Sequence, residues 1–111
     1  MTPTRIQRQR RSGWRLPKGA VIVSRPTLWG NPFTAADHAG RGRAVYLFRR
    51  WLGGHYPGAA ERRTEILRRL PELHGKHLVC WCSLEDPCHA DVLLEMANGP
   101  ACVEATETGH G

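Results

Sequence analysis

This sequence of 111 residues predicts a small α/β fold: a mostly parallel sheet with helices packed on it, Rossmann-like, behind a basic N-terminal arm. Three observations carry that expectation. Two short apolar segments, Ala20–Val23 (AVIV) and Lys76–Cys82 (KHLVCWC), read as strands, the first of them as one buried on both faces. Two stretches of helical periodicity lie between them, a crossover long enough to join parallel neighbours. A turn and a further amphipathic helix follow the second strand, giving the order strand, helix, helix, strand, helix.

The length fits one domain, 1–111, divided into an arm (1–13), an α/β core (14–98) and a polar tail (99–111). No apolar run approaches the roughly 20 residues that span a bilayer. The basic start is not followed by the apolar stretch of a secretory signal. A cytoplasmic protein without a membrane partner is expected. Two disulfides would suit a secreted chain, but Cys80 and Cys82 stand only two apart, and clustered Cys and His in a cytoplasmic setting point to metal or a reactive thiol.

Charge is segregated. Arg5, Arg8, Arg10, Arg11, Arg15 and Lys18 lie in the first 18 residues with no acid among them, so this segment carries the whole net charge of +6. Such an arm suits a polyanion, nucleic acid or a phosphorylated ligand, and Arg5, Arg8, Arg10, Arg11 and Arg15 are its candidate contacts. A solvated tail that merely keeps the protein soluble is the plainer alternative. Trp14 follows the Ser12-Gly13 break, where it either stacks on a base or pins the arm to the core.

The first strand, Ala20–Val23, leaves the Pro17-Lys18-Gly19 turn and ends at Ser24-Arg25-Pro26. The loop Thr27-Leu28-Trp29-Gly30-Asn31-Pro32-Phe33 then combines aromatic anchors, a glycine and an amide held extended by the following proline. It is either a structural turn with two core aromatics or a shaped ligand loop. In Arg43–Leu52, Ala44, Val45, Phe48, Trp51 and Leu52 share one apolar face, and Gly53-Gly54 stops the helix. A second helix is expected over Ala59–Leu70, with Ile66, Leu67 and Leu70 inward and Glu61, Arg62, Arg63, Glu65, Arg68 and Arg69 outward. Asp86 suits an N-cap and Pro87 the first helical position, and the last helix runs to about Asn98 before Gly99-Pro100. Cys102 falls in the tail.

In open α/β sheets ligands bind beyond the carboxyl ends of the strands. The first strand delivers Ser24, Arg25 and the Trp29–Phe33 loop there. The second delivers Cys82 and the Asp86–His89 turn. A site where the two converge is the expectation. Arg25, Trp29, Gly30 and Asn31 are its candidate ligand-binding residues.

The cluster admits three chemistries. In a strand, Cys80 and Cys82 share a face with Cα atoms roughly 7 Å apart. With Cys88 and His89 they make a Cys₃His set suited to zinc, although adjacent Cys and His on a helix point about 100° apart. Alternatively Cys82, Cys88 and His89 are catalytic: Cys88 at a helix N-terminus has a stabilised thiolate, with His89 or His77 as base. The same N-terminus could bind a phosphate instead. Thirdly, Cys80 is an inert core residue and His89 a hydrogen-bonding one.

Arg5-Ile6-Gln7-Arg8, Gly13-Trp14-Arg15, Arg25-Pro26 to Trp29-Gly30-Asn31-Pro32-Phe33, and Gly75-Lys76-x-Leu78-x-Cys80-Trp81-Cys82 to Pro87-Cys88-His89-x-Asp91-Val92-Leu93 together resemble the family catalogued as domain of unknown function 4326. The family is one of bacteria and their phages and carries no assigned activity. The strand–Cys-His–helix segment has a fainter similarity to domain of unknown function 488, with Ala90 where that family has an arginine. That second likeness implies a nucleotide-like pocket in which not all three cysteines need bind metal.

The expected function is nucleotide- or nucleic-acid-directed, a small enzyme with its Cys/His site at the strand carboxyl ends. The alternative is a non-catalytic nucleic-acid-binding module with a structural zinc site. A phage or host interaction protein without substrate is a third. Zinc is the one cofactor the sequence suggests, and a nucleotide or nucleic acid the one partner.

Overall fold

The computed structural model describes residues 2–34, 36 and 40–99. The expected tail beyond Gly99, with Cys102, lies outside the described residues. Three parallel strands form the sheet: β1 (Arg5–Gln7), β2 (Val21–Ile22) and β3 (Leu78–Cys80), in the order β1-β3-β2. The helices are α1 (Arg41–Leu52), α2 (Ala60–Arg69) and α3 (His89–Asn98), with one 3₁₀ turn over Leu70–Leu73 between α2 and β3. This is the small parallel α/β fold expected from the sequence.

β3 is central because it alone is buried along its whole length. Ile6 registers with Val79 from one side and Ile22 with Val79 from the other. A strand with a neighbour on each side and helices over it must be apolar throughout, which Leu78, Val79 and Cys80 satisfy. Both strands are shorter than the apolar runs that announced them. Bonding from the Val23 N–H to the Val79 carbonyl (2.9 Å) and from the Arg8 N–H to the Cys80 carbonyl (2.7 Å) carries the pairing one step past each neighbour's end. Beyond that β3 has no ladder, and the chain turns.

The start of the arm differs from expectation. Arg5–Gln7 is not loose chain but the third strand, and three residues are too few for alternation to show in sequence. Arg5 is anchored as well. Its guanidinium donates to the carbonyls of Leu84 (3.0 Å) and Asp86 (2.8 Å) and lies 3.3 Å from the Asp91 carboxylate, with its side chain only 9 % exposed.

Two helix arginines also depart from the outward positions expected of them. Arg62 Nη2 donates to the carbonyls of Thr27, Leu28 and Gly30, and Arg63 Nε to those of Trp51 and Leu52. Loop and helix-end carbonyls lack partners of their own, and an arginine fork supplies several donors at once. Arg68 and Arg69 do face solvent, paired with Glu65 and Glu72. The core is built from Phe48, Trp51 and Leu52 of α1, Ile66 of α2, Leu78 of β3 and Val92 and Leu93 of α3. No helix among the described residues is long and apolar enough to cross a membrane.

Arg5→Met keeps the aliphatic stem but removes the fork that holds the Leu84–Asp86 turn. It is expected to lower unfolding stability by about 2–3 kcal/mol in urea denaturation. Arg11→Met, at an exposed position of the same arm, is expected to leave stability unchanged.

Candidate metal centre and its cavity

β3 ends at Cys80, and the chain from Trp81 to Pro87 folds back over the sheet's carboxyl edge. Asp86 N–H donates to the Ser83 carbonyl (3.0 Å) in this turn. Cys88, in extended conformation, is the N-cap of α3, and the helix starts at His89. Asp86 is therefore not the cap that the sequence suggested. Its carboxylate is engaged elsewhere, 2.6 Å from Arg41 Nη1. With Cys88 off the helix, the roughly 100° divergence expected of adjacent helical residues does not apply to Cys88 and His89.

The sulfurs of Cys80, Cys82 and Cys88 all lie within 4.8 Å of one another. Cys80 and Cys82 are 3.8 Å apart although Cys82 has left the strand, and all three thiols are free. Three sulfurs around a tetrahedral ion, each at about 2.3 Å, would stand about 3.8 Å apart. The cluster thus fits a thiophilic ion with little movement. Cys80, which the sequence placed toward an inert core role, is 4 % exposed yet contributes its sulfur to this group.

His89 is held beside the cluster rather than within it. Its Nε2 donates to the Val23 carbonyl (2.7 Å), since a carbonyl can only accept. The neutral ring therefore presents a lone pair on Nδ1, 3.6 Å from Cys88 Sγ. Phe48 packs edge-on against the ring at a centroid distance of 5.4 Å. Burial lowers the pKa of His89, which keeps the ring neutral.

Without a metal, the thiols share one negative charge. Hydrogen bonding from Cys82 and then Cys88 pulls the Cys80 pKa far down. The resulting thiolate holds its neighbours protonated: Cys82 is shifted up by its bond to Cys80, and Cys88 is shifted up strongly by the same sulfur and by Cys82. Cys88 is also buried, at 1 % exposure. Its environment opposes the reactive thiolate expected at a helix N-terminus, because an adjacent thiolate outweighs the helix dipole at this range. His77 is at the amino end of β3, its Nδ1 accepting from the Thr4 N–H (2.9 Å), so it stands at the wrong end of the strand to serve as base here.

A cavity of about 370 Å³ opens over the sulfurs. It brings together Arg25, Asn31, Cys80, Cys82, Cys88 and His89 of the residues expected at the site. Trp29 and Gly30 do not line it. Trp29 is buried in the core, with the Arg69 guanidinium 5.7 Å from its ring centroid. Gly30 lies so close to Arg25 that an added Cβ would come within 2.7 Å of Arg25 Cγ and 3.0 Å of its Cα. Its role is close approach of two backbone segments. Asn31 is committed internally, its Nδ2 donating to the Ala44 carbonyl (3.1 Å) and its Oδ1 accepting from the Phe33 N–H (2.9 Å). The loop is thus a structural clamp whose product is the position of Arg25 and Phe33.

The basic residues of the arm separate into three kinds. Arg5 is internal. The Arg8 and Arg10 guanidinium carbons each sit 4.5 Å from the Trp81 ring centroid. Arg11 and Arg15 are exposed. Sequence reasoning missed Arg41, Ser83 and Trp81 as cavity residues. Arg41 precedes any apolar period that would have flagged it, and only Trp81's place between two clustered cysteines hinted at its position.

A three-strand parallel α/β domain with a trio of thiols at its carboxyl edge is the class that fold and site define. The chain belongs to the family described as domain of unknown function (DUF4326), whose model matches residues 6–99. The match gives no support to the fainter likeness to domain of unknown function 488. No curated protein and no solved structure matches the chain.

Brief alkylation of the metal-free protein, followed by peptide mapping, is expected to label Cys80, the thiolate of the three, at least about tenfold faster than Cys88. Comparable labelling of Cys88 would contradict the charge distribution described above.

Proposed function

We propose that the protein is a small nucleotide-directed enzyme that holds zinc through Cys80, Cys82 and Cys88, with a coordination position turned toward the cavity. The observation that carries this reading is the coincidence of the two features: all three ligand residues line the cavity's wall. Three protein ligands with an accessible fourth position characterise catalytic zinc sites, whereas structural sites close the shell with four. Zinc bound here would supply Lewis acidity and lower the pKa of water.

The chain's own residues have separate parts. Val23 fixes the tautomer of His89, and Nδ1 faces Cys88, where it accepts from the Cys88 thiol and orients the sulfur. Arg25 and Arg41 give the cavity a basic rim toward a phosphorylated ligand, and Asp86 pairs with Arg41 in the absence of that ligand. Ser83 and Asp86 are the remaining polar groups from the turn after β3 that line the same space.

Metal replacement tests this. Cobalt(II) is expected to bind with thiolate-to-metal charge-transfer absorption, reduced stepwise in Cys80→Ser, Cys82→Ser and Cys88→Ser. Affinity should rise with pH, because Cys82 and Cys88 are held protonated and must release their protons to bind. It should fall on acidification. Added nucleotide should perturb the cobalt d–d bands if the fourth position is open. Bands that no small ligand perturbs would mean a closed structural site. No uptake of zinc or cobalt would sink the proposal.

The second reading is a non-catalytic nucleic-acid-binding module with a structural zinc site. What favours it is Trp81 flanked by Arg8 and Arg10 at the same sheet edge. It expects salt-dependent binding of single-stranded nucleic acid that weakens about tenfold in Trp81→Ala. Binding unaffected by that change would remove its support.

A further inference from the structure

The cavity has a second corner, set by the start of α1. Arg41, Ala44 and Val45 line it, so the helix meets the cavity with its first turn. That turn is unusual in composition. It contains no acid, its N-cap is Gly40, and no side chain among the described residues caps it. The Ala44 N–H bonds to the Gly40 carbonyl (3.1 Å). Among the described residues no group accepts from the N–H groups of Arg41, Gly42 or Arg43. A 12-residue helix that begins this way presents partial positive charge at its end and, among the described residues, N–H donors without acceptors.

An independent observation comes from β2. Ser24, the second residue after that strand, lines the same cavity and is 3 % exposed, and its hydroxyl has no hydrogen-bond partner among the described residues. Buried hydroxyls are ordinarily satisfied, so an orphan beside a cavity marks the place of an absent acceptor. Arg25, next in the chain, spends one nitrogen on the Asn31 carbonyl (3.3 Å). Arg41 is held by Asp86 at one nitrogen only. The opposing charge is the Asp86 carboxylate itself, so that among the described residues two guanidinium groups stand against one carboxylate in the cavity lining.

We propose that this corner is an oxyanion subsite for the phosphate of a phosphorylated ligand, formed by the first turn of α1, the Ser24 hydroxyl, Arg25 and Arg41. The proposal rests on the nucleotide-directed reading of the cavity for the rest of the ligand and deepens it by naming the group that anchors it. A phosphate offers several acceptor oxygens at once, which matches helix N–H groups, a hydroxyl and two guanidinium forks converging from different elements. The sulfur cluster lines the same cavity, so the remainder of a ligand anchored by its phosphate would lie within the space the sulfurs border.

Calorimetric titration of the zinc-loaded protein with inorganic phosphate, adenosine 5′-monophosphate and adenosine tests the subsite. The monophosphate is expected to bind at least about tenfold tighter than adenosine, and inorganic phosphate to compete with it. Ser24→Ala should weaken the monophosphate about fivefold and Arg41→Gln about tenfold, while adenosine is unaffected. Asp86→Asn should tighten it, because it removes a carboxylate from the cavity lining and frees Arg41. A simple loss of fold would instead weaken binding in all three variants. Equal affinity for monophosphate and nucleoside, or indifference to Ser24→Ala and Arg41→Gln, would overturn the subsite. Zinc content measured on the same samples separates the two proposals. Phosphate binding that persists in a metal-free Cys88→Ser protein supports the subsite and counts against the metal, whereas full zinc occupancy without phosphate binding does the reverse.

Discussion

β3 is hydrogen-bonded on both sides, and nearly everything else in the molecule follows from its being in the middle. Parallel neighbours require crossovers, and the crossover between β2 and β3 supplies both α1 and α2. Because all strands run the same way, their carboxyl ends finish at one edge. Arg8, Ser24 and Trp81 each stand just beyond a strand end there. Neighbouring strands lie about 4.8 Å apart, so residues remote in sequence arrive within reach of one another. The sulfur cluster forms at the end of the central strand, where the turn to α3 doubles back on it.

Buried polar groups then fix the loops at that edge. Arg62 gathers three carbonyls of the Thr27–Gly30 segment, Asn31 ties the loop to α1, and Arg5 ties the β3–α3 turn to β1. These bonds satisfy backbone groups that no ladder could serve. They also pre-position the cavity lining, of which Asn31 is itself a part. A rigid site of this kind loses little freedom when a metal or ligand enters.

The electrostatics of the thiols follow from crowding. Three ionisable sulfurs in one partly buried place cannot all be charged without a counterion, so one thiolate is stabilised and the other two remain protonated. A divalent ion reverses that balance by favouring all three thiolates. His89 is neutral because it is buried, and its tautomer is decided by a carbonyl on another strand. That carbonyl, Val23, is 66 positions away in the chain.

The sequence by itself determined the parallel α/β class, the two principal strands, the three helices to within a few residues, the family, and the convergence of Arg25 and the Cys/His turn at one edge. These are legible because apolar runs, helical periodicity and turn residues are local patterns. Only tertiary structure decided the rest. β1 is too short to announce itself and exists because β3 offers it an open edge. Cys80 could not be told from a core cysteine until Cys88 was brought beside it. Trp29, Gly30 and Asn31 looked like ligand groups because aromatic, glycine and amide residues serve pockets and clamps alike. Their partners, Arg69, Arg25 and Ala44, reach them only when the chain is folded. Arg5, Arg62 and Arg63 carry the same charge as solvent-facing arginines, and whether such a fork meets water or carbonyls depends on which backbone ends lie within its reach.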